Sequence, residues 1–395
     1  MACYYHNINI VKYLSKFLSF MEDYMKKLLI LLMSLVLVMG AFTACKSKDS
    51  EETGTKTETE TKEEEKTEPT AEPTTEPTEA PETDSNAAGV KTGLAVVTSA
   101  KSSKDAGDSD GLAQADSTAA AVIVDENGVI VNCVIDVVQT KINFSKAGEI
   151  TTDSAAQFVS KHELGDDYNM RGASKIGKEW NEQAAALAEY IIGKTIDEVK
   201  GIAVDENSYP TSEDLTSSVT MNIGAMLGAV EKAVANAQPL GASASDKLGL
   251  GIISELGHST KNAGDDDGVA QAYTHYGVVT LGTDGKITSS IIDASQANIS
   301  FSKEGKITSD LAASIQTKNE LGDGYGMRGA SKIGKEWNEQ ARAFADYIVG
   351  KAMNDVTSIA ISEKGAPTSE DLTGSVTVGI GSFLTVIEKA CTTAK

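Results

Sequence analysis

Fifteen residues occur twice in this chain, letter for letter. Met170 to Ala184 read MRGASKIGKEWNEQA, and Met327 to Ala341 read the same, an offset of 157. At that offset PTSEDLT at Pro210 to Thr216 falls on PTSEDLT at Pro367 to Thr373, and Ser218-Val219-Thr220 falls on Ser375-Val376-Thr377. Two copies of one unit must each fold in much the same way, so the function of the unit is sought in what both copies keep.

Size is consistent with this. At 395 residues and 41% apolar composition, the chain has room for two modest cores of about 150 residues each. A formal charge of −22 argues against a nucleic-acid partner, because phosphate binding needs clustered Lys and Arg. Four cysteines are present. Cys3 and Cys45 precede the repeats, Cys133 falls on Ser290 and Cys391 on Val234, so no thiol recurs to form a disulfide or a cysteine metal site.

The chain begins with the features of an export signal. Met25-Lys26-Lys27 is a positive start, Leu28 to Val38 is an apolar run too short to span a bilayer comfortably, and Ala41-Phe42-Thr43-Ala44 leads into Cys45. This predicts a lipoprotein signal over residues 1–45 with Cys45 as the lipidated residue. Residues 1–24 lie ahead of a signal that is complete without them, and Met25 is the expected start. Between Lys46 and Gly89 stand 14 acidic and 5 basic residues with repeated Thr-Glu-Pro units, which predicts a disordered acidic tether over 46–90. Such a chain reaches on the order of 100 Å when extended.

The remainder predicts two tandem α+β domains, 91–237 and 248–395, joined by a linker at 238–247 and each able to fold by itself. Thr92 to Ser99 reads as a strand. Ala119 to Val124 and Val129 to Phe144 read as two more around an Asn-Gly turn, repeated by Val278 to Leu281 and Ile287 to Phe301. A helix is expected over Ser174 to Ile192, with Ile176, Trp180, Ala184, Leu187 and Ile191 on one stripe, Ser174 at its start and Gly193 at its end. A short β-branched run through Thr220 and an apolar helix from about Ile223 to Val234 follow.

Several chemistries are set aside. The acidic run at Asp105, Asp108 and Asp110, matched by Asp265 and Asp267, lacks the first and twelfth ligands of a calcium loop. His162 falls on Asn319, His275 on Thr118 and His258 on Lys101, so no imidazole recurs as ligand or base. No phosphate loop, dinucleotide fingerprint or repeated nucleophile and base is present. What recurs is an acid six residues before a threonine, Asp214 to Thr220 and Asp371 to Thr377. A threonine opening a helix there suits either ordinary capping or a phosphoester favoured by the helix dipole.

The leader, the tether and two copies of GASKIGKEWNEQ followed by DLTSSVT or DLTGSVT resemble the extracellular flavin-binding, pheromone-type lipoproteins of Gram-positive bacteria, over nearly the whole mature chain. The resemblance implies FMN joined through its phosphate to a threonine by a flavin transferase, two per chain, on Thr220 and Thr377. Asp214 and Asp371 keep the first position of that family's Asp-x-x-Ser-Gly-Ala-Thr pattern. Its Ser-Gly-Ala is replaced by Ser217-Ser218-Val219 and Gly374-Ser375-Val376, which leaves Thr216 and Thr373 as alternative acceptors. It also implies an electron carrier rather than an enzyme, lipid-anchored on the outer face of the cell membrane. Electrons would pass from a membrane NADH dehydrogenase and its quinone-linked components to external acceptors. Trp180, Trp337, Tyr168 and Tyr325 are candidates to stack on the ring, and Arg171 and Arg328 to meet its phosphate or its N1 edge. Two other readings stay open: a cofactor-free surface binding lipoprotein, and a pheromone peptide cut from Leu32 to Gly40.

Overall fold

The computed structural model describes residues 89–260 and 266–395. The signal, Cys45, the Leu32 to Gly40 segment and nearly all of the tether lie outside these residues. No described helix is long and apolar enough to cross a membrane.

The described chain is α+β, strands first and helices after, in two rounds. β1 (Lys91–Ser99), β2 (Gly111–Val124) and β3 (Ile130–Phe144) form an antiparallel sheet in sequence order. A two-residue strand β4 (Gln157–Phe158) and helices α1 (Lys161–Leu164), α2 (Trp180–Ile191), α3 (Ile196–Lys200), α4 (Glu213–Thr216) and α5 (Gly224–Ala235) follow. The second round is β5 (Lys247–Leu256), β6 (Gly268–Leu281) and β7 (Ile287–Phe301), then α6 (Lys318–Leu321), α7 (Trp337–Ile348), α8 (Met353–Thr357), α9 (Glu370–Thr373) and α10 (Gly381–Thr393).

The Asn-Gly turn works as its chemistry predicts. Gly128 takes φ +79°, and the Asp125 carboxylate accepts the N–H groups of Asn127 and Val129. Three expectations change. β2 and β6 begin at Gly111 and Gly268, well before the β-branched runs. Helix α2 begins at Trp180 rather than Ser174, capped by Glu179, whose N–H meets Glu182 at 2.7 Å. Gly193 at φ +84° does end it. The segment through Thr220 forms no strand; it is the loop between α4 and α5.

Each sheet is covered on one face by helices of its own repeat. α5 lies so flat on β1 that a Cβ at Gly93 would stand 2.1 Å from the Ala233 carbonyl oxygen, and at the matching Gly249 1.8 Å from that of Ala390. Only glycine fits this approach. The opposite faces cover each other: Leu94, Val96, Ala121 and Ile123 of the first sheet share a buried cluster with Leu250, Ile252, Tyr276 and Val278 of the second. The two repeats are therefore not two separate cores, as the sequence suggests, because the innermost layer belongs to both.

Contacts across this layer come in reciprocal pairs, the mark of an approximate twofold relation. Phe158 of β4 pairs with Ser254 on the edge of β5, and Ile315 pairs with Thr98 on the edge of β1. Lys389 meets Glu163 at 2.7 Å, and Lys232 meets Glu320. The register Lys91↔Val124 against Lys247↔Leu281 puts the offset of the first strands at 156, since the second repeat carries one extra residue before its second strand. His258 therefore corresponds to Ser102, not Lys101, and still finds no histidine.

Candidate functional site

The two recurring sequence segments form the walls of one cleft. In the second repeat Met327, Ala330, Ser331 and Lys332 face Ala366, Pro367, Thr373, Val376, Thr377 and Val378 around a cavity of about 410 Å³, with Gln340 at its base. Both candidate threonines line it. Thr373, on α9, is exposed and donates to the Glu370 carbonyl. Thr377 is half-buried in the loop before α10.

Gln340 fixes that loop. It is fully buried. Its amide nitrogen donates to Ser331 Oγ and to the Lys335 carbonyl, both at 3.2 Å, which leaves Oε1 to accept. Oε1 takes the Thr377 N–H at 2.8 Å, the Val378 N–H at 3.2 Å and the Thr377 hydroxyl at 3.2 Å. Gln183 holds the Thr220 N–H at 2.8 Å in the same way. Were the Thr377 hydroxyl converted to an ester, its donor would be lost, yet Gln340 would keep two backbone partners. The loop geometry therefore does not depend on the hydroxyl.

The other wall is held by a buried carboxylate. Glu336 accepts the N–H groups of Met327 and Arg328 at 2.8 and 2.6 Å, and Glu179 accepts those of Met170 and Arg171 at 2.9 and 2.7 Å. Arg171 bridges Asp166 at 2.7 Å and Glu182 at 2.8 Å, and Arg328 bridges Asp323 and Glu339 alike. The hydrogen bonds to Asp166 and Asp323 hold both guanidinium pKa values above the ordinary one. A ligand phosphate would have to compete with two carboxylates for each.

Trp180 and Trp337 are 4% exposed and belong to the helix-side cores. Trp337 packs edge-on against Phe383. Beside each Trp lies a buried lysine that the sequence reading passed over. Lys318 Nζ stands 4.5 Å from the Tyr325 ring centre and 4.9 Å from that of Trp337, and donates to the Tyr273 hydroxyl at 2.6 Å. Lys161 stands over Tyr168 and Trp180 at 4.5 and 5.2 Å. Burial lowers both amines to about 8. The faces of Tyr168, Tyr325, Trp180 and Trp337 thus meet the protein's own cations. Trp337, Tyr325, Arg328 and the exposed Asp371 do not line the Thr377 cleft. Asp214 is likewise exposed, at the start of α4.

Lys161, Glu179 and Gln183 were findable. Both copies read Lys-x-Glu-Leu-Gly-Asp-x-Tyr-x-Met-Arg-Gly from Lys161 and from Lys318, and the shared glutamate and glutamine stand inside the fifteen-residue repeat.

The cleft's donor set is one cation, Lys332, with the hydroxyls of Ser331, Thr373 and Thr377; apart from Gln340, whose amide is engaged by the loop, the other lining side chains are apolar. This suits a phosphate joined to a flat apolar ring system. No protein family, no curated protein and no solved structure matches this chain.

Proposed function

We propose that the chain is a lipid-anchored carrier of covalent flavin, with FMN esterified to Thr377 and to Thr220, relaying electrons at the outer face of the cell membrane. The observation that carries this reading is the position of Thr377, on the wall of a cleft formed by both recurring segments and anchored to buried Gln340. Flavin, when bound, supplies one- and two-electron redox chemistry. The chain's own residues position it: Gln340 orients the threonine, Lys332 and Ser331 offer donors to a phosphate, and Met327, Val376 and Val378 shield apolar surface. Thr373 also lines the cleft, but Thr377 is held more tightly, which favours it as the acceptor. Cys45 provides the anchor, and a flavin transferase and a membrane NADH dehydrogenase are the partners.

Intact mass after co-expression with a flavin transferase tests the reading. Wild type should gain two FMN increments, Thr377→Ala and Thr220→Ala one each, and the double variant none, while Cys45→Ser should leave the membrane fraction. Flavin mapped to Thr373 and Thr216 would move the site and keep the function. A colourless protein of unmodified mass would overturn it in favour of a cofactor-free binding lipoprotein.

A further inference from the structure

A second cleft of about 370 Å³ lies between the repeats, bounded by β1, β7 and the start of α7. Its size is at the lower end for small-molecule sites, roughly 300 to 1,000 Å³. Two polar atoms in its wall have no partner among the described residues. Ser290 is 3% exposed with its hydroxyl unpaired, and the buried Oδ1 of Asn338 accepts nothing, as is also true of Asn181 Oδ1 at the matching position of the first repeat. Buried polar groups without partners are costly, so two lining one cavity point to a ligand that satisfies them.

The opposite wall offers donors. Thr92 exchanges both backbone hydrogen bonds with Gln238, so the period of two turns the N–H and C=O of Leu94 and Val96 to the same open edge. Asn236 Nδ2 and Lys232 Nζ occupy those two carbonyls; the amides remain for a ligand acceptor. A peptide strand cannot add here, because the carbonyls it would need are taken and the edge is closed at its ends by Gln238 and Ile315. An ion is not selected either. Glu320 is paired with Lys232 and Arg342 with Asp346, while Asp293 accepts N–H groups from Ala294 and Asn319.

We infer that this cleft binds a compact uncharged ligand bearing both N–H or O–H donors and a carbonyl acceptor, the chemistry of an acetamido sugar. The donors meet Asn338 Oδ1 and Ser290 Oγ, the acceptor meets the Leu94 and Val96 amides, and Leu240 and Ala345 pack on the ring's C–H face. The site is independent of flavin. The first repeat keeps an unpaired asparagine at Asn181, but Cys133 stands where the second repeat has Ser290, so the pair of free groups is not duplicated.

Titration of the ¹⁵N-labelled full chain with N-acetylglucosamine tests it. Saturable shifts of the Leu94 and Val96 amides are expected. Asn338→Ala should weaken binding about tenfold, the size of one lost hydrogen bond. Asn181→Ala, the same change at the matching position of the first repeat, should leave it unaltered. No saturable shift, shifts confined to another surface, or equal affinity in Asn338→Ala would overturn the proposal.

Discussion

Phe144 and Phe301 occupy the same position in the two repeats, and their rings stack on one another, centroids 4.5 Å apart and planes within 12°. Each is fully buried. Alanines make up much of the buried cluster they share, among them Ala106, Ala113, Ala115, Ala270, Ala272 and Ala297, alongside Ile142 and Ile299. These alanines make room for the ring pair where the last strands of the two sheets end.

Truncating either ring should therefore be costly. Phe144→Ala and Phe301→Ala are each expected to destabilise by about 3–5 kcal/mol in denaturant unfolding. Because the rings touch, the double variant should lose less than the sum, by about 0.5–1.5 kcal/mol. Full additivity would show that the stacking itself contributes nothing.

One repeat alone, residues 89–240, leaves the Leu94, Val96, Ala121 and Ile123 face uncovered. Since the covering partner is a second copy of the same fold, the fragment is expected to form a dimer in light scattering, with stability that rises with concentration. A cooperative, concentration-independent monomer would show that the shared layer is dispensable and restore independent folding.

Gln340→Leu keeps the side chain's bulk and removes its acceptor. The N–H groups of Thr377 and Val378 then lose their partner, at a cost of about 1–3 kcal/mol. Hydrogen exchange should accelerate at those two amides and leave the sheets protected. Slow exchange there in the variant would show that the loop is held by other means.

Asp293 and the two buried lysines should each leave a limb in the stability curve, the Asp293 limb being opposed by His275, whose pKa burial lowers from 6.5 to about 3. Burial lifts Asp293 from 3.8 to about 7, so between those values the folded chain keeps a proton that the unfolded chain has released. That contribution is complete below 3.8 and is lost as pH rises to about 7. Burial depresses Lys318 and Lys161 from 10.5 to about 8. Between about 8 and 10.5 the unfolded chain holds the extra protons, so stability rises with pH. Asp293→Asn should flatten the first limb and Lys318→Met part of the second, read as differences from wild type in urea midpoints. Unchanged slopes would refute both assignments.

The hairpins and the helix stripes were legible because their signals are local. Asn127-Gly128 dictates a turn, and Trp180, Ala184, Leu187 and Ile191 share one helix face whatever surrounds them. Gly111 to Ser117 was not legible, because Ala113 and Ala115 have little strand preference and are placed by the opposing sheet. Lys161 and Lys318 recur visibly, but their burial does not show in the sequence, since nothing short of tertiary packing buries a lysine among aromatic rings. One clue to the shared layer was in plain view. Leu94-Ala95-Val96-Val97 is a continuous apolar run, the mark of a strand covered on both faces. Of the candidate site, the threonines and the recurring segments were found, while their union through Gln340 required the fold.

Joining two like halves through the Gln238 to Lys247 segment has an effect that pairing of separate chains cannot produce. In a homodimer every substitution appears on both sides of the axis. Here Ser290 can change without Cys133, and buried His275 faces the second repeat's helices while its counterpart in the first is Thr118. Each half is free to specialise one cleft at a time while the other continues to supply half of the common interior.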